Sequence, residues 1–294
     1  MTPPPARPAI VVAAAAAVIT AAAPAVHAVT PAAKTLYVAT TGNDTGNSCS
    51  APSAPCRHLY HAIVEAEAFT GDAVTILAAG GTYRENDEID ASALASLTIE
   101  SDGAAVTVAG RYGGPDGNGA PSRLGRNESV FTVTGSTVTF QGLTIADGDA
   151  DSGGGIDNSS GTVTLNSSTV TGNAALSGAG IFNDGGTLTL NGSTVTRNST
   201  KDKQGEGGGI FNFGGTVTLT HSAVTGNIAR YAGGGIFNGG GTVTATDSTI
   251  TGNKADPGLD SGGGIYQAEG AATTLTRTTV ASNDPDNCIP TTVC

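Results

Sequence analysis

Residues 207–227 read GGGIFNFGGTVTLTHSAVTGN, and residues 233–253 read GGGIFNGGGTVTATDSTITGN: one 21-residue phrase, repeated with its glycines, threonines and closing asparagine in register. Three more copies flank this pair: GGGIDNSSGTVTLNSSTVTGN from Gly153, GAGIFNDGGTLTLNGSTVTRN from Gly178, and GGGIYQAEGAATTLTRTTVASN from Gly262, the last with one extra residue. The starts lie 25, 29, 26 and 29 residues apart. Periods of this size mark a stacked architecture, in which each unit buries its apolar face only against its neighbours.

Each unit holds three short runs separated by turn residues. In Thr162-Val163-Thr164-Leu165 the alternation has period two, so Val163 and Leu165 share one face and the threonines the other. The next run places Val170 inward in the same way, and the first supplies Ile156. Such strands, stacked about 4.8 Å apart, join their few aliphatic side chains into one core. The predicted fold class is all-β, a parallel β-helix. Its expected columns are Ile156, Ile181, Ile210, Ile236 and Ile265; Val170, Val195, Val224, Ile250 and Val280; and the coil-closing Asn173, Asn198, Asn227, Asn253 and Asn283. Asn tolerates left-handed turn backbone and stacked amides can bond along the axis, so these asparagines read as structural. The glycine strings are not phosphate cradles, because no helix follows them.

The variation falls between the copies, in AALS (174–177), STKDKQGE (199–206), IARYA (228–232) and KADPGLDS (254–261). Each leaves after the turn Asn and returns at the glycines, so stacking projects all of them from one edge, the chemically diverse surface of the molecule. Upstream, residues 73–152 read as less regular coils, with TVTFQGLTIADG (137–148) aligned to the later strands. Residues 29–72 read as an N-terminal cap in which RHLYHAIVEAEAF (57–69) has helical spacing of Leu59, Ile63 and Ala66; such a helix covers the open apolar end of a solenoid. Residues 153–283 form the regular repeats and 284–294 a C-terminal closure.

Composition narrows the partners. The 294 residues include 44 Gly and no Trp, with a formal charge of −12, which argues against nucleic acid or an anionic membrane, since both select clustered Lys and Arg. Residues 1–28 carry Arg7, an Ala-rich apolar run and Val26-His27-Ala28, the pattern of a secretory signal peptide; Pro24 and the alanines weaken the alternative of a membrane anchor. Loss of Arg7 with that peptide leaves the mature chain at −13. Four cysteines allow three connectivities, and in a long fold only Cys49 with Cys56 and Cys288 with Cys294 come within about 7 Å. A zinc site is the competing reading, but no pair has C-x-x-C spacing and the histidines are not arranged beside the cysteines in the sequence.

The stretches LYVATTGNDTGNSCSAPSAPCRHLYHAI (36–63) and GDAVTILAAGGTYREN (71–86) resemble the N-terminal cap of pectin-lyase-like right-handed β-helix proteins. GNIARYAGGGIFN (226–238) is similar to the repeat named for chlamydial polymorphic outer membrane proteins, with Val in place of the usual Phe before the Asn, and NDPDNC (283–288) resembles the closure of secreted bacterial β-helix repeat proteins. The resemblance implies a right-handed solenoid and a carbohydrate-related role, although the same fold serves lyases, hydrolases and adhesins. The membrane barrel of the chlamydial proteins is not expected after Asn283, and release from the cell is expected.

Three functions follow as expectations. A secreted binding or surface-display protein is favoured, recognising a glycan or cell-surface ligand through the loop edge and needing no cofactor. Phe182, Phe211, Phe237 and Tyr266 recur beside the inward Ile and so stack outside as candidate ligand-binding residues, unless neighbouring loops cover them as a small satellite core. A polysaccharide-cleaving enzyme is the alternative. Uronate β-elimination in that superfamily implies a base, for which Arg197, Arg230 and Lys254 stand as candidates, with Lys201 and Lys203 near them, and Ca²⁺, for which Asp147, Asp149 and Asp151 offer oxygens. That string lacks the Gly and terminal Glu of an EF-hand. Hydrolysis would need two carboxylates about 5–10 Å apart, drawn from Asp202, Glu206, Asp256 and Asp260. The long segment 111–129, with Arg111, Asp116, Arg123 and Arg126, offers a groove wall or a plain Gly/Pro-rich loop. The third expectation is an ice-binding ladder of outward Thr162/Thr164, Thr187/Thr189, Thr216/Thr218 and Thr242/Thr244. Thr is, however, the ordinary outward residue of exposed strands.

Overall fold

The alternating threonines do form strands. In the computed structural model, which describes residues 33–110, 128–256 and 261–294, Thr162–Asn166 alternates exposed and buried residues and pairs in parallel, residue on residue, with Thr137–Gln141 on one side and Thr187–Asn191 on the other. Each coil adds one strand to each of three long sheets, of nine, eight and eight strands, and every strand pairing is parallel. The signal-peptide reading of residues 1–28 and the charged groups of 111–127 lie outside the described residues.

The expected columns stand in register. Ile156, Ile181, Ile210, Ile236 and Ile265 are paired neighbours and fully buried, as are Val170, Val195, Val224 and Ile250. Val280, on the last coil, is half-buried. Each fully buried aliphatic side chain contributes about 1.5–3 kcal/mol, and one coil carries too few to stand alone. The Thr ladders are also in register, outward on the nine-stranded sheet.

Polar ladders run beside the apolar ones. Asn198 Nδ2 donates to Asn227 Oδ1 at 3.0 Å and to the Val170 carbonyl at 3.1 Å, and its Oδ1 accepts from both Asn173 N and Nδ2. Two further ladders were not foreseen. Asn158, Asn183, Asn212 and Asn238 are linked by Nδ2 to Oδ1 bonds of 2.7, 2.8 and 3.0 Å, and Ser168, Ser193, Ser222 and Ser248 are linked by backbone N to Oγ bonds of 3.1 Å. Both recur in the phrase, as the Asn of IFN and the Ser before TVT, so their signal was present.

The linkers also differ from simple loops. The first two residues of each, Ala174–Ala175, Ser199–Thr200, Ile228–Ala229 and Lys254–Ala255, form a fourth parallel ladder of four short strands, so a regular coil has four runs rather than three. Ala175, Thr200, Ala229 and Ala255 are buried, which explains why small residues follow the turn Asn.

At the N-terminal end a helix spans Leu59–Ala66, with Leu59, Ala62, Ile63 and Ala66 buried against the strands Ala33–Val38 and Ala73–Ala78. At the other end Cys288–Ile289 adds to the sheet of Ile265–Gln267. The local cysteine pairings are both formed: Cys49–Cys56 with Cα atoms 5.0 Å apart and Cys288–Cys294 with 5.9 Å. One histidine does come beside them, against expectation: His61 lies within reach of Cys49 and Cys56, brought there by the helix rather than by sequence spacing. Among the described residues no helix is long and apolar enough to cross a membrane.

Candidate functional site

Two surfaces carry chemistry: the outward face of the Ile156–Ser159 sheet and the neighbouring loop edge. On the sheet face, Asp157, Phe182, Phe211, Phe237 and Tyr266 form one column, each paired with the next. Successive rings from Phe182 to Tyr266 are 4.9 Å apart and within 10° of parallel. Parallel rings at that spacing cover one another's faces. Phe211 and Phe237 are 8 % exposed and enclose Ala232, which the preceding loop folds over them, while Phe182 and Tyr266 are half-buried. The column is therefore a satellite core with open ends rather than a flat platform.

Exposed apolar groups lie on this face and on the loop edge. Among the described residues Leu176, Phe213, Ile228 and Tyr231 are 40, 55, 36 and 52 % exposed. Phe213 sits two residues after Phe211, its ring centroid 6.5 Å away, and Tyr231 precedes Ala232. Leu176 and Ile228 belong to the loop edge.

The candidate cations of that edge are engaged. Lys254 Nζ lies 3.2 Å from Asp284, Arg230 lies 3.9 Å from Asp256, and Lys201 pairs with Asp149. Arg197 occupies a different place, a turn position with φ of 54° directly before Asn198. Asp147, with φ of 57°, fills the equivalent turn of an earlier coil, where Gly172, Gly226 and Gly252 stand in the others. Asp149 is held by Lys201, and the Asp151 carbonyl accepts from Leu176 and Ser177. The structure thus spreads Asp147, Asp149 and Asp151 over a turn, an ion pair and a backbone junction. They form no metal-type group of three; among the described residues the one such group is Cys49, Cys56 and His61, whose cysteines are joined to each other.

Of the four loop carboxylates considered for hydrolysis, Asp256 is paired with Arg230, Asp202 accepts from the Gln204 amide at 2.9 Å, and Asp260 lies outside the described residues. Glu206 is raised above the usual carboxylate range by burial. The carboxylate that stands out is one the sequence reading passed over. Asp157 is pushed up to about 6, by burial first, against a weak hydrogen bond from Ser159 Oγ at 3.5 Å, and then by the Asp184 charge. Its signal was available: Asp157 is the one acid in a column otherwise aromatic across the five repeats.

No family model matches the chain, and no curated protein matches it. Among solved structures it is similar to one described as the crystal structure of pectate lyase Pel9A, with a TM-score of 0.55 and 17 % identity over 89 % of this chain and 67 % of that one. The molecule is a right-handed parallel β-helix of the pectate-lyase type in fold. At that identity the likeness extends to fold alone.

Proposed function

We propose that this protein is a secreted β-helix that binds a glycan or another cell-surface ligand through the loop edge and the adjoining aromatic sheet face. The observation that carries the reading is the pair of exposed rings at the satellite core: Phe213, its centroid 6.5 Å from Phe211, and Tyr231, next to the core's Ala232 in the chain. Exposed aromatic groups on a rigid frame lose little conformational freedom on binding and offer flat apolar surface to a sugar ring. The frame itself supports display, because ladders of buried amides tie the regular coils to one another. Two disulfides and the signal-like residues 1–28 support export to an oxidising compartment. The polysaccharide named in the pectate lyase comparison makes polysaccharides the first ligands to try. Binding of this kind needs no cofactor; Ca²⁺ would enter only with lyase chemistry.

The test is retention on immobilised polysaccharides, with Phe213→Ala and Tyr231→Ala as variants. Both side chains are more exposed than buried, so loss of retention without a change in melting temperature supports the reading. Retention that survives both changes refutes it.

One observation favours cleavage as a second reading. Asp157, raised to about 6, has Asp184 near it and the half-buried Phe182 beside it in the column. Glycoside hydrolysis requires two carboxyl groups, the general acid among them raised above its ordinary value, and burial raises Asp157 in that sense. Following ultraviolet absorbance and reducing ends together separates the outcomes. Reducing ends without absorbance, abolished by Asp157→Asn, mark a hydrolase; new absorbance that needs Ca²⁺ and is lost in Arg197→Ala, Arg230→Ala or Lys254→Ala marks a lyase.

A further inference from the structure

Glu85 and Asp87 lie where the chain passes from the strand Gly81–Arg84 to the strand Asp87–Ile89, and both are buried. Glu85 reaches the first turn of the helix Leu59–Ala66: one carboxylate oxygen accepts from Leu59 N at 3.1 Å and the other from Tyr60 N at 2.9 Å. Its charge is thereby supplied with two donors. Asp87 is 2 % exposed, and neither of its oxygens has a donor. A buried carboxylate without donors is costly, and a second carboxylate beside it makes it more so. A proton on Asp87 removes both penalties, because the neutral carboxyl can donate to Glu85 and the pair then carries one charge.

The surroundings agree. Burial, and after it the Glu85 charge, hold Asp87 well above the carboxylate range; burial also raises Glu85, opposed by the Tyr60 and Leu59 amides. From the helix side His58 attracts the Glu85 charge, and Asp44, bonded to His58 Nδ1 at 2.5 Å, repels it. Tyr83, buried beneath, is pushed up to about 12 by burial and by Glu85, and donates its hydroxyl to the Ala79 carbonyl. The strands Val106–Ala109 and Phe131–Thr134, which pair with this region, bring no titratable side chain.

We propose that Glu85 and Asp87 form a one-proton clasp that holds the N-terminal helix on the coils while the proton is present and releases it when rising pH removes the proton. A second charge at Asp87 would have no donor, so water must enter. The element that can give way is the eight-residue helix, which Glu85 holds by its first turn. Its release uncovers the apolar end of the core, against which Leu59, Ala62, Ile63 and Ala66 are buried. The sign follows from linkage: the folded state binds this proton more tightly than the unfolded chain does. The stabilisation is thus complete below the ordinary carboxylate range and is lost as pH rises through the raised folded-state value.

The experiment is hydrogen exchange of the Leu59–Ala66 amides in the whole protein from about pH 5 to pH 9, corrected for the intrinsic pH dependence of exchange. In the unaltered protein, protection of these amides falls with pH while that of the Val163 and Val217 strands does not. Asp87→Asn keeps protection throughout, since its carboxamide donates to Glu85 with no proton to lose. Protection independent of pH in the unaltered protein overturns the clasp, as does a fall that persists in Asp87→Asn. Should the variant fail to fold, carbon-13 NMR of the Asp87 carboxyl decides: a midpoint above the ordinary carboxylate range supports the proposal, and one within that range refutes it.

Discussion

At the residue scale, one asparagine does several jobs at once. Asn198 supplies its neighbours in the preceding and following coils with four side-chain-mediated bonds, all buried. Asn198→Ala strands donors at Asn173 and removes a donor from the Val170 carbonyl and one of two from Asn227 Oδ1, and is expected to cost about 3 kcal/mol, read as a lower urea midpoint with an unchanged slope. Asp157 behaves in the opposite sense. Its folded-state value of about 6 lies above the usual 3.8, so the ionised form is disfavoured in the fold, and stability falls as pH rises from about 4 to 6. Asp157→Asn is therefore expected to stabilise the protein at pH 7 by about 1–2 kcal/mol after allowance for partial exposure. That gain should vanish in melts at pH 3.5.

The element scale separates rings that hold the structure from rings that are free. Phe211 lies between Phe182 and Phe237 at 4.9 Å from each, and Phe213, on the same strand, stands 55 % exposed. Phe211→Ala removes two stacked contacts and opens a cavity over Ala232, with an expected loss of about 3 kcal/mol, whereas Phe213→Ala should shift stability by less than about 0.5 kcal/mol. Thermal melts of the two variants, set beside their polysaccharide retention, distinguish packing from recognition. The ion pairs Lys254–Asp284 and Arg230–Asp256 are solvent-exposed and should contribute little to stability, so salt up to about 0.5 M should leave the melting temperature nearly unchanged.

For the whole molecule, the consequence of stacking is modularity. Asn173 and Asn198 occupy equivalent places 25 residues apart, so removing residues 173–197 joins Gly172 to Asn198 and deletes one complete coil. The shortened protein is expected to keep a β-sheet circular dichroism spectrum and a cooperative melt at lower temperature, because stability in a solenoid is nearly a sum over neighbouring units. Deleting residues 59–66 instead removes the cover from one end, and size-exclusion chromatography should show association.

The repeated phrase contained the fold because β-helix contacts are periodic. Each residue meets its own counterpart in the next coil, as Val163 meets Leu188 and Ile156 meets Ile181, so a column of identical chemistry in the sequence is already a contact in space. The same logic holds for the ladders of Asn158 and Ser168, which recur once per repeat beside the aliphatic columns. Residues outside the period had no such counterpart. His61 approaches Cys49 and Cys56 through a helix turn, Lys201 reaches Asp149 across two coils, and Glu85 and Asp87 are buried together by the cap. The face of the sheet on which Asp157 meets Phe182 could be inferred from alternation, but the burial that raises Asp157, and the loop that covers Phe211 and Phe237 while leaving Phe213 and Tyr231 in solvent, could not. Sequence by itself determined the coil, its register and its core, because those depend on neighbours of known spacing. Tertiary structure alone decided which charges are paired, which rings are open and which acids keep a proton, because these depend on how much water the irregular segments exclude.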